Sequence, residues 1–321
     1  MKPLRQAVAS GVAAVIVLFA GSSLLGQDVA LRYRWNKGEA LRYRMVQETT
    51  IAMSGIPGMG EMNITNTMTQ IQKMTAQDVA ADGTATVQAL FESVKMEMGT
   101  PMGNFVYDST APAQNNADPT VAQIAGMMGA LVGESITIVM SPTGAIQKTE
   151  GMTRIVQKMQ QSPQAAAAGL SGLENMLSDD SMKGSFGQSL ANLPEKPVKP
   201  GDTWKNDLSM PNPFGTMNIA TTYTLKGTES TGGHDFARIT STSAVKATAS
   251  GKSPFPMPMT MEFGDGTGQG EMVFDRKLGR TQQATMSMTM PMSMNMTTPD
   301  GQSISMQALT KTTTKMELIE K

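Results

Sequence analysis

Most of this 321-residue chain alternates apolar and polar residues with a period of two, and this alternation constrains its fold more than any other feature. Successive side chains of a β-strand point to opposite faces, so a period of two is typical of strands with one buried and one wet face. Residues 302–319 show it well, because their even positions are apolar at Ile304, Met306, Ala308, Met316 and Leu318. We therefore expect a mainly β chain built of long antiparallel strands.

Short turns with glycine separate these alternating segments and indicate hairpins. The clearest is Ala81-Asp82-Gly83, between predicted strands near 61–79 and 84–98. Further strand pairs are predicted near 31–35 and 41–45, near 216–227 and 235–249 around a turn at 230–234, and near 270–275 and 279–297 around a turn at 276–279.

The middle of the chain has a different pattern, with apolar residues at helical spacing. The three sets are Val121, Ile124, Met128 and Leu131; Met152, Ile155, Val156 and Met159; and Phe186, Leu190 and Leu193. Residues 160–184 are rich in Ala, Ser, Gly and Gln and include a run of four alanines, which is typical of a low-complexity segment. We therefore expect an N-terminal β half at 28–110, a mobile helical insert at 111–195 with one β-hairpin at 134–150, and a C-terminal β half at 196–321.

Short matches between the two β halves occur in the same order along the chain. Gly38-Glu39-Ala40-Leu41-Arg42 resembles Gly201-Asp202-Thr203-Trp204-Lys205, and Gly60–Ile64 resembles Gly215–Ile219. Gly133-Glu134 before a strand likewise resembles Gly270-Glu271. The common order favours an internal duplication, whose units stack to share a core. We predict two curved antiparallel half-sheets in a half-barrel-like arrangement, with helices over or beside the concave face.

The first 26 residues have the order of a secretory signal peptide. Lys2 and Arg5 precede a mostly apolar run at 11–20, and the small residues Gly21, Ser22 and Ser23 follow. A membrane span needs about 20 apolar residues, so this run is short for one, and an uncleaved N-terminal anchor is the alternative. No second stretch is long enough to span a bilayer. We expect an exported protein, in the periplasm or outside the cell, without an integral membrane segment after cleavage.

Composition excludes several kinds of site. The chain has no cysteine, so it has neither disulfides nor a thiol for catalysis or metal binding. Its 26 basic and 27 acidic residues form no basic run, which argues against nucleic acid as a partner. His234 is the one histidine; beside Gly232, Gly233 and Asp235 we expect it to be an exposed turn residue rather than part of a triad or zinc site.

The glycine-rich run Gly264–Gly270 lacks the Gly-Lys-Ser/Thr ending of a phosphate-binding loop, and we expect a flexible connection there. The sequence therefore predicts a protein that is not an enzyme. It predicts no catalytic residues, no metal site and no cofactor.

Methionine is unusually frequent, with 31 residues against 9 Phe, 4 Tyr and 2 Trp. One ladder comprises Met286, Met288, Met290, Met292, Met294 and Met296, and a shorter one comprises Met257, Met259 and Met261. On a strand each ladder lies on one face. Pro291 interrupts the longer ladder and predicts a sheet edge or a bend there.

Three interpretations of the ladders stay open. They fill a core with soft side chains, they line a plastic cavity for a lipid-like ligand, or their thioethers bind Cu(I). Same-face residues of one straight strand are about 6.6 Å apart, so a copper ion needs bent side chains or a cross-strand partner.

The most distinctive segment is a proline-rich approach at 193–200 that leads into Val198-Lys199-Pro200-Gly201-Asp202-Thr203-Trp204. Prolines fix an extended connector, Gly201 permits a turn, and Trp204 anchors the next strand. With this Val-x-x-Gly-Asp-x-Trp motif, the Gly38-Glu39 strand and Phe274-Asp275, the chain resembles uncharacterised exported bacterial proteins classed as a domain of unknown function. That resemblance supplies no activity and no site residues.

The expected architecture is similar to that of periplasmic carriers of lipids and lipoproteins. We therefore expect an exported, non-enzymatic protein that binds a lipid-like or other apolar ligand between sheet and helices, through residues the sequence does not identify. The alternatives are a structural or interaction protein with a filled methionine-rich core and, third, a Cu(I)-binding protein. The sequence indicates no oligomeric state.

Overall fold

The computed structural model describes residues 28–55, 58, 60–101, 103–111, 125–126, 128–160, 179, 192–212, 215–249, 259–297 and 303–320. The N-terminal strands are β1 (Ala40–Ser54), β2 (Met62–Val79), β3 (Ala85–Thr100), β4 (Gly103–Asp108), β5 (Ser135–Met140) and β6 (Ile146–Glu150). The C-terminal strands are β7 (Thr203–Asn212), β8 (Gly215–Thr231), β9 (His234–Ala249), β10 (Met259–Phe263), β11 (Gly266–Asp275), β12 (Arg280–Thr297) and β13 (Ser303–Glu320). Helix α1 is Met152–Gln160, and residues 125–126 and 128–131 are also helical. The mainly β fold is confirmed.

All thirteen strands belong to one open antiparallel sheet. Its order is β6-β5-β3-β2-β1-β13-β12-β11-β9-β8-β7, with β4 beside β3 and β10 beside β12. The two predicted halves are thus joined edge to edge along β1 and β13, from Arg42↔Glu320 to Ser54↔Gln307. The longest strands have 18 residues and extend about 60 Å at 3.3 Å per residue.

The strand order repeats as the predicted duplication requires. β1-β2-β3-β5-β6 and β7-β8-β9-β11-β12 follow the same path, each with one short extra strand, and β13 lies between the two sets. Both sets have a bulge at corresponding places: the register of β2 on β3 shifts between Ala76 and Asp78, and that of β8 on β9 between Leu225 and Gly227.

The turns that enter β1 and β7 have equivalent hydrogen bonds. The Asn36 N–H donates to the Glu39 carboxylate at 3.0 Å, and the Lys199 N–H donates to the Asp202 carboxylate at 2.7 Å. The glycines two residues further along, Gly38 (φ 82°) and Gly201 (φ 94°), have the left-handed backbone that a residue with a Cβ rarely adopts. The Gly38 and Gly201 N–H groups donate to the carbonyls of Ala76 and Leu225, the residues at the two bulges. The matching residues therefore hold the same local structure in both halves.

The predicted hairpin of 31–35 with 41–45 is wrong. Residues 31–35 form no strand with β1; instead the Tyr33 N–H donates to the Pro142 carbonyl at 2.7 Å and the Arg34 N–H to the Gly279 carbonyl at 2.9 Å. Pro142 and Gly279 lie in the β5–β6 and β11–β12 turns, so the segment crosses from one half to the other. Its period of two reflects an extended chain with one buried side, since Leu31 and Tyr33 are buried.

Two other predictions are corrected by strand pairing. The glycine run is not a flexible connection from residue 266 onward, because Gly266–Gly270 begin β11 between β9 and β12. Pro291 does not lie at an edge, since β12 is flanked by β13 and β10/β11. Its carbonyl accepts from Gly264 at 3.0 Å, in the break between β10 and β11. The nitrogen of an antiparallel residue points to the same side as its carbonyl, so the missing N–H of Pro291 faces that break, while the pairing of β12 with β13 continues through Pro291 without a register shift.

The main core packs one face of the sheet at one end, near the turns that follow β2, β5, β8 and β11. Its largest fully buried side chains include Leu31, Leu41, Ile136, Met140, Met152, Ile155, Leu225, Ile239 and Phe274. Met152, Ile155 and Val156 of α1 are buried as the helical spacing predicted. Leu193 is buried as well, but it lies in an irregular segment rather than a helix. Phe186, Leu190 and the alanine run lie outside the described residues, as does the predicted signal peptide.

Candidate functional site

The face of the sheet that contributes to the main core is called here the inner face. Antiparallel partners share a face, so the registers place every strand residue on the inner or the outer face. One row across the inner face runs Met68–Gln47–Thr314–Met286–Gly270–Ser241–Tyr223–Trp204, from β2 to β7. Beyond this row the inner face continues for several residues past the main core, toward the opposite ends of the strands.

Along the long strands, the charged side chains lie on the outer face. Ion pairs lie on the outer face, as in Arg42–Glu92 (2.8 Å), Arg44–Glu317 (3.0 Å) and Lys315–Glu48 (3.3 Å). From the row of Tyr43 and Gln72 to the far strand ends, the described inner-face positions contain no Asp, Glu, Lys, Arg or His. The inner face is therefore an uncharged surface.

Two zones follow one another on the inner face beyond the main core. The first, called here the polar belt, is a cross-strand row with uncharged polar side chains on both sides of Met288 and Gly268, which lie at its centre: Asn66, Thr49 and Thr312 on one side and Ser243, Thr221 and Asn206 on the other. The second, called here the methionine zone, lies beyond the belt and comprises Met53, Met62, Met261, Met290, Met292, Met294 and Met306. The predicted ladder is thus confirmed as one face of β12, at the centre of this zone.

Methionines of neighbouring strands lie directly opposite one another in the methionine zone. Met294 pairs with Met306 on β13 and with Met261 on β10, and all three side chains are half-buried. Met290 is buried, and with Ile219 and Val245 it forms a second apolar cluster that Phe263 and Met288 extend. Met257 lies outside the described residues, and so do the side chains of Met259 and Met296. The ladder therefore belongs to a surface that crosses several strands.

Three glycines of β11 leave the middle of the inner face without side chains from that strand. Gly266, Gly268 and Gly270 alternate along the strand, so all three face inward. A Cβ at Gly266 would meet Met290 Sδ and Val245 Cβ, each at 3.1 Å, and a Cβ at Gly270 would meet Ser241 Oγ at 2.7 Å. Side chains of β9 and β12 thus already occupy the space over β11.

The helical residues 128–131 pack against part of the inner face. A Cβ at Gly129 would lie 3.1 Å from the Tyr107 hydroxyl on β4, and Leu131 packs against the main core. An open pocket of about 590 Å³ lies on the opposite, outer face, where Ile71 and Leu90 line it beside Arg42 and Glu92, whose charges are paired.

His234 is not the exposed turn residue that the sequence predicted. It begins β9, and its Nδ1 lies 2.6 Å from Oδ2 of Asp275, which is fully buried. The other oxygen of Asp275 accepts from the Leu278 N–H at 2.9 Å, and the His234 ring stacks on Phe236. The pair joins the β8–β9 turn to the β11–β12 turn, which is a structural role.

Two buried tyrosines contact Thr281 of β12 at the same end of the sheet. The Tyr43 hydroxyl donates to the Thr281 carbonyl at 3.1 Å, and the Tyr33 hydroxyl lies 3.3 Å from the Thr281 hydroxyl. Burial raises the pKa of Tyr33 to about 12 and also raises the pKa of Tyr43 above its ordinary value. Both phenols therefore stay neutral through the physiological range.

The Val-x-x-Gly-Asp-x-Trp motif has the structural role that the sequence predicted. Val198 bridges Val29, and the Trp204 indole donates to the Asn192 carbonyl at 2.7 Å while its ring stacks on Tyr223 at 5.5 Å. The motif thus fixes the connector and the start of β7.

Sequence reasoning missed the uncharged inner face and the polar belt. Part of the signal for the first was available, because charged residues occupy only one parity in β1 and β7, whereas the bulges of β2, β3 and β8 change that parity along the strand. The belt depends on register between distant strands, which the sequence alone does not give. In the described part of the chain, no cluster of three or more His, Asp or Glu side chains is placed to hold a metal ion.

Comparisons with known proteins place the chain in a family. No curated protein matches it. Among solved structures, lipovitellin, described by its lipid–protein interactions, aligns over 89% of this chain with 10% identity and a TM-score of 0.46, and the chain spans 26% of that protein. DynF of the dynemicin pathway of Micromonospora chersina aligns over 94% of this chain and 97% of its own, with 10% identity and a TM-score of 0.21. An outer membrane channel from Pseudomonas putida F1 aligns over 88% of this chain and 97% of its own, with 6% identity and a TM-score of 0.22.

TM-scores below 0.5 do not establish a common fold. Among the described residues, no helix has the length and apolar character needed to cross a bilayer. A family profile, in contrast, matches residues 82–281, more than half of the chain and including the Val-x-x-Gly-Asp-x-Trp motif. The predicted membership of an uncharacterised family is confirmed: the chain belongs to DUF6263, a family of unknown function.

Proposed function

We propose that this chain is an exported, non-enzymatic protein that binds a lipid-like apolar ligand against the methionine zone of its inner face. The observation that carries the proposal is an uncharged surface of half-buried methionines that extends past the packed core. Met292, Met294 and Met306 retain partial exposure there. Burial of hydrocarbon is favourable by about 0.8 kcal/mol per CH₂, so a long acyl chain has enough apolar surface to bind.

Methionine suits such a surface because its unbranched thioether repacks around different shapes. The alternating strand pattern keeps these side chains on one face, while the ion pairs lie on the outer face. Export is supported by the order of residues 1–26, and N-terminal sequencing of protein recovered from the periplasm or medium tests it.

The binding test uses native mass spectrometry of gently purified protein and titration with the uncharged probe diphenylhexatriene. We expect a co-purified apolar mass or saturable probe fluorescence. Met292→Lys places a charge in the methionine zone and should weaken probe binding at least tenfold. Ser293→Lys, one residue along on the outer face, should leave it unchanged. A clean apo mass without probe uptake would remove the proposal.

A second candidate is a structural or interaction protein with a filled core. The packing of Ile219, Val245 and Met290 with Phe263 favours it, because these side chains already fill one part of the inner face. It predicts no saturable probe binding and equal stability losses for methionine-to-alanine changes across the zone.

Cu(I) binding is a third candidate, and cross-strand pairing removes one objection to it. Met261, Met294 and Met306 lie side by side on three strands, so their thioethers do not depend on the spacing along one strand. Competition with a Cu(I) chelator tests this candidate: it requires transfer of copper to the protein that Met294→Leu abolishes.

A further inference from the structure

The inner face also determines what charge its ligand has. We infer that the ligand is an electrically neutral lipid with a hydroxyl-bearing head group. This inference rests on the proposed function and adds the chemical class of the ligand. It follows from the absence of charge on the described inner-face positions and from the kind of polar groups that replace it.

A charged head group would lose its hydration on this surface without gaining a counterion. The nearest formal charges of the strands point to the outer face, as Lys311 and Lys315 do on β13. Burial of an unpaired carboxylate or phosphate is strongly unfavourable, whereas a hydroxyl or ester needs only hydrogen bonds. An anionic lipid should therefore bind much more weakly than a neutral lipid with the same acyl chains.

The polar belt offers hydrogen bonds of the required kind. The hydroxyls of Thr221 and Ser243 lie 2.9 Å apart and those of Thr49 and Thr312 lie 3.3 Å apart, and each hydroxyl both donates and accepts. Asn66 Oδ1 in the same row is buried and has no hydrogen-bond partner in the described part of the chain. Because a buried acceptor without a partner is costly, rotation of the Asn66 side chain toward the inner face would let a ligand hydroxyl donate to it.

Belt and methionine zone together match an amphipathic but uncharged molecule. The hydroxyl head lies at Asn66, Thr49 and Thr312, and the hydrocarbon extends over Met290, Met292 and Met294 toward the strand ends. A diacylglycerol has this chemistry, and phosphatidic acid of the same acyl chains differs from it by the charged phosphate.

The experiment measures displacement of bound diphenylhexatriene by dioleoylglycerol and by dioleoyl phosphatidic acid. We expect dioleoylglycerol to compete at least tenfold more strongly. Equal or stronger competition by phosphatidic acid, or probe binding that neither lipid displaces, would overturn the inference and leave the proposed function intact. Failure to bind the probe itself would overturn both.

Matched variants test the two zones separately. Thr312→Lys places a cation in the polar belt and should raise competition by phosphatidic acid at least fivefold relative to dioleoylglycerol. Thr313→Lys on the outer face should leave that ratio unchanged. Asn66→Leu should weaken competition by dioleoylglycerol about fivefold without changing the affinity for the probe. Asn63→Leu, on the outer face of β2, should change neither quantity. Circular dichroism confirms that each variant is folded, and a Thr313→Lys effect equal to that of Thr312→Lys would contradict the assignment.

Discussion

Gly266 of β11 lies against the thioether of Met290 on β12, so closely that a Cβ at Gly266 would meet Met290 Sδ at 3.1 Å and the Thr289 carbonyl at 3.0 Å. Gly266→Ala should therefore destabilise the protein by about 1–3 kcal/mol through overpacking. Urea unfolding followed by tryptophan fluorescence measures this change. Gly227→Ala is the matched control, because no atom lies within 4 Å of a Cβ at that position. Equal midpoints for the two variants would refute close packing over β11.

Arg280 and Glu39 form the most buried ion pair among those described, with Nη2 and Oε1 2.6 Å apart and 8% and 18% of their side chains exposed. Glu39→Gln leaves the buried guanidinium without its counterion. We expect a loss of roughly 2–3 kcal/mol, below the usual cost for a fully buried pair because water reaches part of Glu39. Thermal unfolding at neutral pH measures it.

The control for that pair is Asp78→Asn, which breaks the exposed pair of Asp78 with Lys37. Exposed pairs contribute little, so no measurable change in melting temperature is expected. A Glu39→Gln variant as stable as Asp78→Asn would show that the Arg280 contact does not stabilise the junction of the two halves.

Stability should fall in alkaline solution because burial raises the pKa of Tyr33 to about 12. The neutral phenol is favoured in the folded state, so this stabilisation is present below pH 10 and is lost as the pH rises through about 12. A rise of two pKa units corresponds to roughly 3 kcal/mol. Absorbance of tyrosinate should show a late, cooperative titration that coincides with unfolding. Between pH 8 and pH 12, Tyr33→Phe should lose less stability than the unsubstituted protein. A tyrosinate titration midpoint at the ordinary tyrosine value would contradict burial.

The bulge at Lys226 makes a specific prediction about register. Deletion of Lys226 removes the extra residue while Leu225 keeps its partner Ile239 and Gly227 keeps Arg238. Deletion of Thr222 instead turns Tyr223 and Leu225 to the outer face, since a shift of one residue reverses every side chain. We expect a folded protein from the first deletion and an unfolded one from the second, measured by circular dichroism. The reverse result would show that the register is wrong.

The long strands were predictable from the sequence because alternation is a local signal. β2, β3, β12 and β13 end within a few residues of their predicted bounds for this reason. The same pattern misled at 31–35, where an extended chain with one buried side looks like a strand although its partners, Pro142 and Gly279, are far away in sequence.

Features that depend on distant partners were not predictable. His234 meets Asp275 only because β9 and β11 are neighbours, and Gly266–Gly270 are tolerated in a strand because β9 and β12 fill the space above them. Pro291 is accepted in a central strand because the break at Gly264 faces it. The candidate site has the same limitation: the methionine ladder was visible in the sequence, whereas its cross-strand neighbours Met261 and Met306 required the register.

The most direct test of the proposed binding surface is an NMR titration of isotope-labelled methionine methyl groups with dioleoylglycerol. Binding at the inner face predicts saturable shifts for Met290, Met292, Met294 and Met306, and unchanged signals for Met140 and Met152, which are fully packed in the main core. Single methionine-to-leucine variants assign these signals. Saturable binding that leaves the methionine-zone signals unchanged, or no binding at all, would contradict the account.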